Sequence, residues 1–133
     1  MKKSIIISAI ALCFSIVSVN ATPINKTVNT NIEEYYSVKV NSFCVSIAKG
    51  DVETVKKLLA RGESVNEKSN GMTPIMYAAK YNRTEILKLL ISKGANLKAK
   101  SNKGMTALKY AQLHGAHEAK AIIKEALAAK KKK

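Results

Sequence analysis

Residues 71–78 of this chain read GMTPIMYA, and positions 104–111, 33 residues further on, read GMTALKYA. Thr73 therefore corresponds to Thr106, and Tyr77 corresponds to Tyr110. Self-similarity at this period is typical of stacked repeats, in which each unit buries its apolar face only against its neighbours. Because such a stack presents an extended surface, the repeat predicts a binding function and not a catalytic pocket.

The pattern of a second helix follows each of these two motifs, and an earlier copy of that pattern precedes the first motif. Residues 50–62 and 82–94 both run from an opening turn to a closing glycine, with apolar residues on one helical stripe. Each also carries a Glu in its first turn, where a negative charge opposes the helix dipole. Gly62 and Gly94 stand where a helix ends in a left-handed residue. A third copy starts at residue 114 and predicts a final helix from Ala116 to about Ala129.

These helix pairs resemble ankyrin repeats. The resemblance is carried by TPIMYAA at residues 73–79 and by KLLISKGANL at residues 88–97. It implies an all-α fold, an ankyrin-repeat α-solenoid of about three helix-turn-helix repeats with hairpin-like loops. The implied repeats cover residues 41–72, 73–105 and 106–129, within one domain at 41–129.

The chain also departs from the ankyrin pattern. Cys44, Met76 and Lys109 replace the family's His, which predicts the loss of a side-chain hydrogen bond that ties loop to helix. The first loop, residues 63–70, is one residue shorter than the second, residues 95–103. With about three repeats, the minimum for a continuous core, we expect a marginally stable stack.

The first 40 residues are predicted to lie outside the stack. A basic start, an apolar run from Ile5 to Val19 and a small residue at Ala21 are typical of a signal peptide at residues 1–21. The alternative, an uncleaved membrane anchor, needs about 20 apolar residues, and this run is shorter. We therefore expect an exported protein, periplasmic or secreted after cleavage near Ala21, without a stable membrane anchor. Residues 22–40 predict a linker with a possible short capping helix, and residues 130–133 a solvated Lys tail.

Catalytic and metal chemistry are not indicated by the sequence. His114 and His117 flank a glycine at a predicted helix boundary, and no third ligand stands at a suitable spacing for zinc. One Glu per repeat marks a first-turn position and not an acid–base pair. Cys44 falls on a predicted core position, where Cys behaves as a small hydrophobe. We expect no enzyme activity, no metal and no cofactor.

The charge of the chain restricts its partners. The sequence holds 23 Lys and Arg against 9 Asp and Glu, a formal net charge of +14, which favours an acidic protein partner. Only Arg61 and Arg83 are arginines, so sequence-specific nucleic-acid recognition is not expected. The alternative is a binder of polyanions or anionic membrane surfaces, driven by lysine charge. A third possibility is a basic periplasmic protein that accompanies and protects an exported enzyme. We expect the chain to be a monomer.

The resemblance implies that the partner surface is formed by the loop tips and the exposed faces of the first helices. Tyr and Met at such positions favour protein contacts. For Tyr77 and Tyr110 the sequence also allows a purely structural role, packing between repeats. The residues at these variable positions are Lys68, Met72, Tyr77, Lys80, Tyr81, Lys100, Lys103, Met105, Tyr110, Leu113 and His114.

Overall fold

A computed structural model describes residues 40–133. The predicted signal peptide, and the predicted linker and capping helix except for Val40, lie outside the described residues and stay predictions. The described part of the chain holds six helices and no strand, which confirms the all-α fold. They are α1 Ser42–Lys49, α2 Val52–Ala60, α3 Pro74–Lys80, α4 Thr84–Ser92, α5 Ala107–Leu113 and α6 His117–Lys131.

The helices form two layers. In the first layer α3 packs between α1 and α5, and in the second α4 packs between α2 and α6. Ala78 and Ala79 are fully buried on α3, and Ala111 on α5 is 1% exposed. Because these side chains are small, the first helices of neighbouring repeats approach closely. The larger buried side chains, among them Leu87, Leu90 and Ile123, fill the space between the layers.

Polar side chains and a proline define where the first helices begin. The side chain of Asn41 accepts a hydrogen bond from the backbone N–H of Cys44 at 2.9 Å, and Thr106 accepts one from Lys109 at 3.3 Å. Both satisfy a backbone donor that the helix leaves open. Pro74 stands at the first turn of α3, where its fixed φ suits the helix and no N–H is needed. Asn41 and Thr106 therefore cap α1 and α5, whereas α3 begins without a hydrogen bond to the Thr73 side chain.

Side chains at three positions join neighbouring repeats. The Asn82 side chain accepts from the Ala119 N–H at 3.1 Å and donates to the Glu118 carboxylate, so it caps α6 from the preceding repeat. The Asn66 Oδ1 accepts from the Asn96 N–H at 2.8 Å. Arg83 donates through Nε to the carbonyl of residue 48 at 2.9 Å. These ties satisfy backbone groups that would otherwise need water.

The last helix is longer than the sequence analysis predicts. α6 continues through Lys130 and Lys131, whereas the predicted end was at about Ala129. The Ala-rich sequence has no glycine to stop the helix, and lysines in a last turn interact favourably with the helix dipole. The four terminal lysines are exposed, but only the last two lie beyond the helix.

Cys44 is predicted to be chemically inert in the folded chain. Its side chain is fully buried, and burial, with a smaller effect from the Glu63 carboxylate, raises the pKa of the thiol from 9.0 to about 12. Since the thiolate is the reactive species, we expect iodoacetamide at pH 8 to label it about 1,000 times more slowly than in the unfolded chain. Mass spectrometry of the tryptic peptide 40–49 measures this rate. Equal labelling with and without urea would contradict the burial.

The same pKa makes stability fall at alkaline pH. The pKa of the Cys44 thiol in the folded chain lies above its ordinary value. The protonated thiol therefore makes its full contribution to the free energy of unfolding below pH 9.0. That contribution is lost progressively as the pH rises toward about 12.

Restoring the family's His at position 76 should stabilise the stack. The Thr73 hydroxyl is buried without a hydrogen-bond partner, and the Met76 sulfur instead accepts from the Thr73 N–H at 3.4 Å. We expect Met76→His to give the hydroxyl a partner and raise the free energy of unfolding by about 1 kcal/mol. Thermal unfolding followed by circular dichroism measures the gain. The control Met76→Leu adds no polar group, and a His variant no more stable than the Leu variant would contradict the prediction.

Candidate functional site

An open groove of about 790 Å³ runs between the two loop tips and the first helices. We call it the loop groove. Its lining comes from the loop before α3, the loop before α5, and the carboxyl ends of α3 and α5. The lining residues are Asn70, Gly71, Met72, Lys80, Ser101, Asn102, Lys103, Met105, Tyr110 and His114.

Both loops turn tightly, as the implied hairpin form requires. In the first, Ser69 and Met72 exchange backbone hydrogen bonds of 2.9 and 3.2 Å. In the second, the Ser101 N–H donates to the Met105 carbonyl at 2.9 Å across one additional residue. Both tips use positive φ angles, 76° at Gly71 and 74° at Gly104, which glycine adopts at low cost.

The two loop tips are also bound to each other. The Asn102 N–H donates to the Gly71 carbonyl at 3.0 Å, and the Lys68 ammonium donates to the Asn102 side chain at 3.4 Å. A Cβ on Gly71 would come within 2.9 Å of the Asn102 amide nitrogen. Glycine suits this close approach because its φ is 76° and it has no Cβ to displace the Asn102 side chain, and the loop groove has a fixed edge.

Tyr77 lies below the groove and not on its surface. Its side chain is 6% exposed, and its hydroxyl donates to the Ser69 carbonyl at 2.9 Å. Burial raises the pKa of the Tyr77 phenol to about 12. The expectation that Tyr77 contacts a partner is corrected: of the two roles that the sequence allowed, the structure has the packing one.

Tyr110 combines the two roles. It is 5% exposed, and its hydroxyl donates to the Ser101 hydroxyl at 3.1 Å, so it supports the second loop as Tyr77 supports the first. It also lines the loop groove and stacks on the His114 ring at a centroid distance of 6.5 Å. Little of its surface is left for a partner, and its main contacts are with the second loop and the His114 ring.

Two large apolar side chains are exposed at the ends of the helices that contribute to the loop groove. Tyr81 at the end of α3 is 43% exposed, and Leu113 at the end of α5 is 58% exposed. The 33-residue period pairs Lys80 with Leu113 and Tyr81 with His114, so each helix ends in one cationic or titratable residue and one apolar residue. The Lys80 ammonium lies 5.2 Å from the centre of the Tyr81 ring.

The structure therefore brings most of the predicted surface residues together. Lys68 is at the edge of the loop groove through its bond to Asn102, and Lys100 is exposed on the second loop. The sequence analysis missed Asn70, Asn102 and the two buried serines that receive the tyrosine hydroxyls. The sequence carries a signal for these residues, because a Ser-Asn pair precedes the tip in both loops. The predicted surface residues that line the groove are Met72, Lys80, Lys103, Met105, Tyr110 and His114.

The loop groove is cationic. Its lining holds Lys80, Lys103 and His114 and no carboxylate. Within residues 40–133 the one ion pair joins Glu53 and Lys56 at 3.8 Å, so no carboxylate of these residues pairs with either groove lysine. Among these residues there is no group of three potential metal ligands, and no helix is long and apolar enough to cross a membrane.

Helix pairs stacked at a fixed period, with paired hairpin loops beside one layer, define a repeat protein of the α-solenoid class. A family model for three ankyrin repeats matches residues 43–132, and the chain belongs to the ankyrin-repeat family. This confirms the resemblance. Ankyrin repeats are modules of protein–protein interaction and are generally not catalytic.

Relatives of this chain are found in bacteria and animals. It is 33% identical over 81 residues to the human ankyrin repeat, SAM and basic leucine zipper domain-containing protein 1, covering 60% of this chain and 17% of the human protein. It is 29% identical over 98 residues to an ankyrin repeat protein of Rickettsia bellii, covering 68% of this chain and 58% of that one. The chain thus spans less than two thirds of either relative.

A solved structure is similar over the repeat region. It is the complex of a predatory endopeptidase from Bdellovibrio bacteriovorus with an immunity protein. A chain of that complex is 33% identical to this one with a TM-score of 0.62, over 66% of this chain and 47% of that chain.

Proposed function

We propose that this chain acts outside the cytoplasm as a non-catalytic module whose loop groove binds an acidic protein. The observation that carries the proposal is a groove lined by Lys80, Lys103 and His114 without a carboxylate. A partner surface rich in Asp and Glu would meet cations on both sides of the groove. The net charge of +14 would attract the same partner from a distance and raise its association rate.

The exposed apolar residues Tyr81 and Leu113 can contribute most of the binding energy. Charged contacts at the edge of an interface mainly change association rate and salt dependence, whereas large buried side chains carry most of the binding energy. Tyr81 and Leu113 are exposed at 43% and 58%, so both can lose apolar surface to a partner. An interface that covers the loop groove together with these two residues would combine apolar contacts with lysine charge.

The partner we propose is an exported enzyme whose activity the chain suppresses or protects. The similar solved complex contains an endopeptidase and an immunity protein, which supports a role of this kind. The location rests on the signal-peptide pattern at residues 1–21, which lies outside the described residues.

A second candidate is a polyanion or anionic membrane-surface binder. The observation in its favour is the exposed run of lysines at the end of α6, which gives a concentrated charge without a shaped site. Such binding would be weak, about 1 kcal/mol per basic residue, and would be lost at high salt.

A capture experiment separates the two candidates. The chain from residue 22 and a version ending at Ala129 are immobilised and exposed to exported proteins of the source cell at low and high salt. We expect one acidic protein to be retained by both versions at high salt, because the loop groove is intact in both. Capture of only nucleic acid or anionic lipid, lost with salt or with the terminal lysines, would establish the second candidate instead.

A further inference from the structure

The loop groove has a distinct apolar part made of two methionines. Met72 and Met105 hold equivalent positions, each directly before the threonine that begins a first helix, and both line the groove half-buried. Met76, by contrast, is fully buried in the core. Methionine side chains are unbranched and polarizable, and they adapt to the shape of an inserted apolar group. The two thioethers therefore form an adaptable seat for a large side chain of a partner.

Cationic groups line the same groove as these methionines. Lys80 at the end of α3 and Lys103 on the second loop line the same groove as the methionines. Both arginines lie elsewhere: Arg61 is exposed after α2, and Arg83 donates to the carbonyl of residue 48. The groove thus lacks the bidentate guanidinium forks that suit phosphate groups especially well, and its lysines act as point charges for carboxylates.

The walls of the groove are held in place before any partner binds. The loop tips are joined by the 3.0 Å bond from the Asn102 N–H to the Gly71 carbonyl. Below them, the Tyr77 and Tyr110 hydroxyls bond to Ser69 and Ser101 at 2.9 and 3.1 Å. A preformed site loses little conformational entropy on binding, so its specificity follows from the positions of its groups.

We propose that the occupant of the loop groove is a protein segment with one large apolar side chain directly flanked by carboxylates. The apolar side chain is seated between Met72 and Met105, and the carboxylates lie beside Lys80 and Lys103. This inference rests on the proposed function, because it takes the loop groove as the partner-binding surface. It adds the local sequence chemistry that the partner must present there.

Methionine methyl signals test the proposal. The full chain is labelled with ¹³C-methyl methionine and titrated with three end-blocked peptides: Gly-Asp-Leu-Glu-Gly, its amide analogue Gly-Asn-Leu-Gln-Gly, and Gly-Asp-Ala-Glu-Gly. We expect the first peptide to shift the Met72 and Met105 signals and to bind about tenfold more tightly than either of the others. The Met76 signal should stay in place, since that side chain is fully buried.

Two double variants that change the net charge equally test which lysines produce the preference for the acidic peptide. Lys80→Gln with Lys103→Gln should abolish the preference for the acidic peptide over its amide analogue and keep the preference for Leu over Ala. Lys88→Gln with Lys124→Gln, exposed positions on α4 and α6, should keep both preferences. Equal loss of the acidic preference in the two variants would overturn the proposal and show a non-specific charge effect.

Further outcomes would also overturn the proposal. One is equal affinity for all three peptides. Another is a shift of Met72 and Met105 by tripolyphosphate as large as that by the acidic Leu peptide. If an acidic protein is captured but the first peptide does not compete with it, this inference fails while the proposed function stands. If the peptides behave as expected and no protein is captured, the proposed function fails alone.

Discussion

Tyr77→Ala is expected to lower the free energy of unfolding by about 3–5 kcal/mol, a large part of the stability of a small repeat stack. The ring is 6% exposed, so its removal leaves a cavity between the repeats. The substitution also removes the hydroxyl that donates to the Ser69 carbonyl at 2.9 Å. Urea denaturation followed by circular dichroism measures the change.

Two further variants separate the causes. Tyr77→Phe removes only the hydroxyl and is expected to cost about 1 kcal/mol, since the Ser69 carbonyl still accepts from the Met72 N–H. Tyr81→Ala is the matched control on the same helix. It is 43% exposed, and its effect should stay within about 0.5 kcal/mol. If Tyr77→Ala cost no more than Tyr81→Ala, the assignment of Tyr77 to the core would be wrong.

The second large effect is expected on binding. Lys80→Glu with Lys103→Glu should weaken the complex with the captured acidic partner by about 100-fold, or roughly 3 kcal/mol. The reversed charges would face the partner's carboxylates across the loop groove, where the unmodified lining has no carboxylate. Isothermal titration calorimetry at 0.15 M salt measures the affinity, and circular dichroism verifies that the variant is folded.

The control for this effect reverses two lysines away from the groove. Lys88→Glu with Lys124→Glu changes the net charge equally on α4 and α6. We expect it to slow association with little change in dissociation, because long-range attraction acts mainly on the association rate. Comparable losses of affinity in both double variants would mean that total charge, and not the loop groove, determines binding.

The fold could be predicted from the sequence because its signals are local and periodic. The motif recurs at a spacing of 33 residues, and the left-handed glycines Gly62 and Gly94 act within a few residues along the chain. The end of α6 could not be placed as well. A helix end without a glycine depends on the balance of small effects, and here α6 continues to Lys131.

The contacts between repeats could not be predicted because they depend on the stacking geometry. In the sequence, Asn82 and Arg83 have the appearance of ordinary turn residues. No neighbouring residue indicates that Asn82 accepts a hydrogen bond from the Ala119 N–H or that Arg83 donates one to the carbonyl of residue 48. Tyr77 and Tyr81 show the same limit. Tyr77 lies within α3 and is buried where its hydroxyl donates to the Ser69 carbonyl, whereas Tyr81 directly follows α3 and is exposed.

Hydrogen–deuterium exchange with and without the captured partner tests most directly whether the loop groove is the binding surface. We predict reduced exchange in the two loops that precede α3 and α5, at residues 68–72 and 100–105, and around Tyr81 and Leu113. The outer helices α2, α4 and α6 should exchange as before. Protection confined to those three helices, with the loops unchanged, would contradict the assignment.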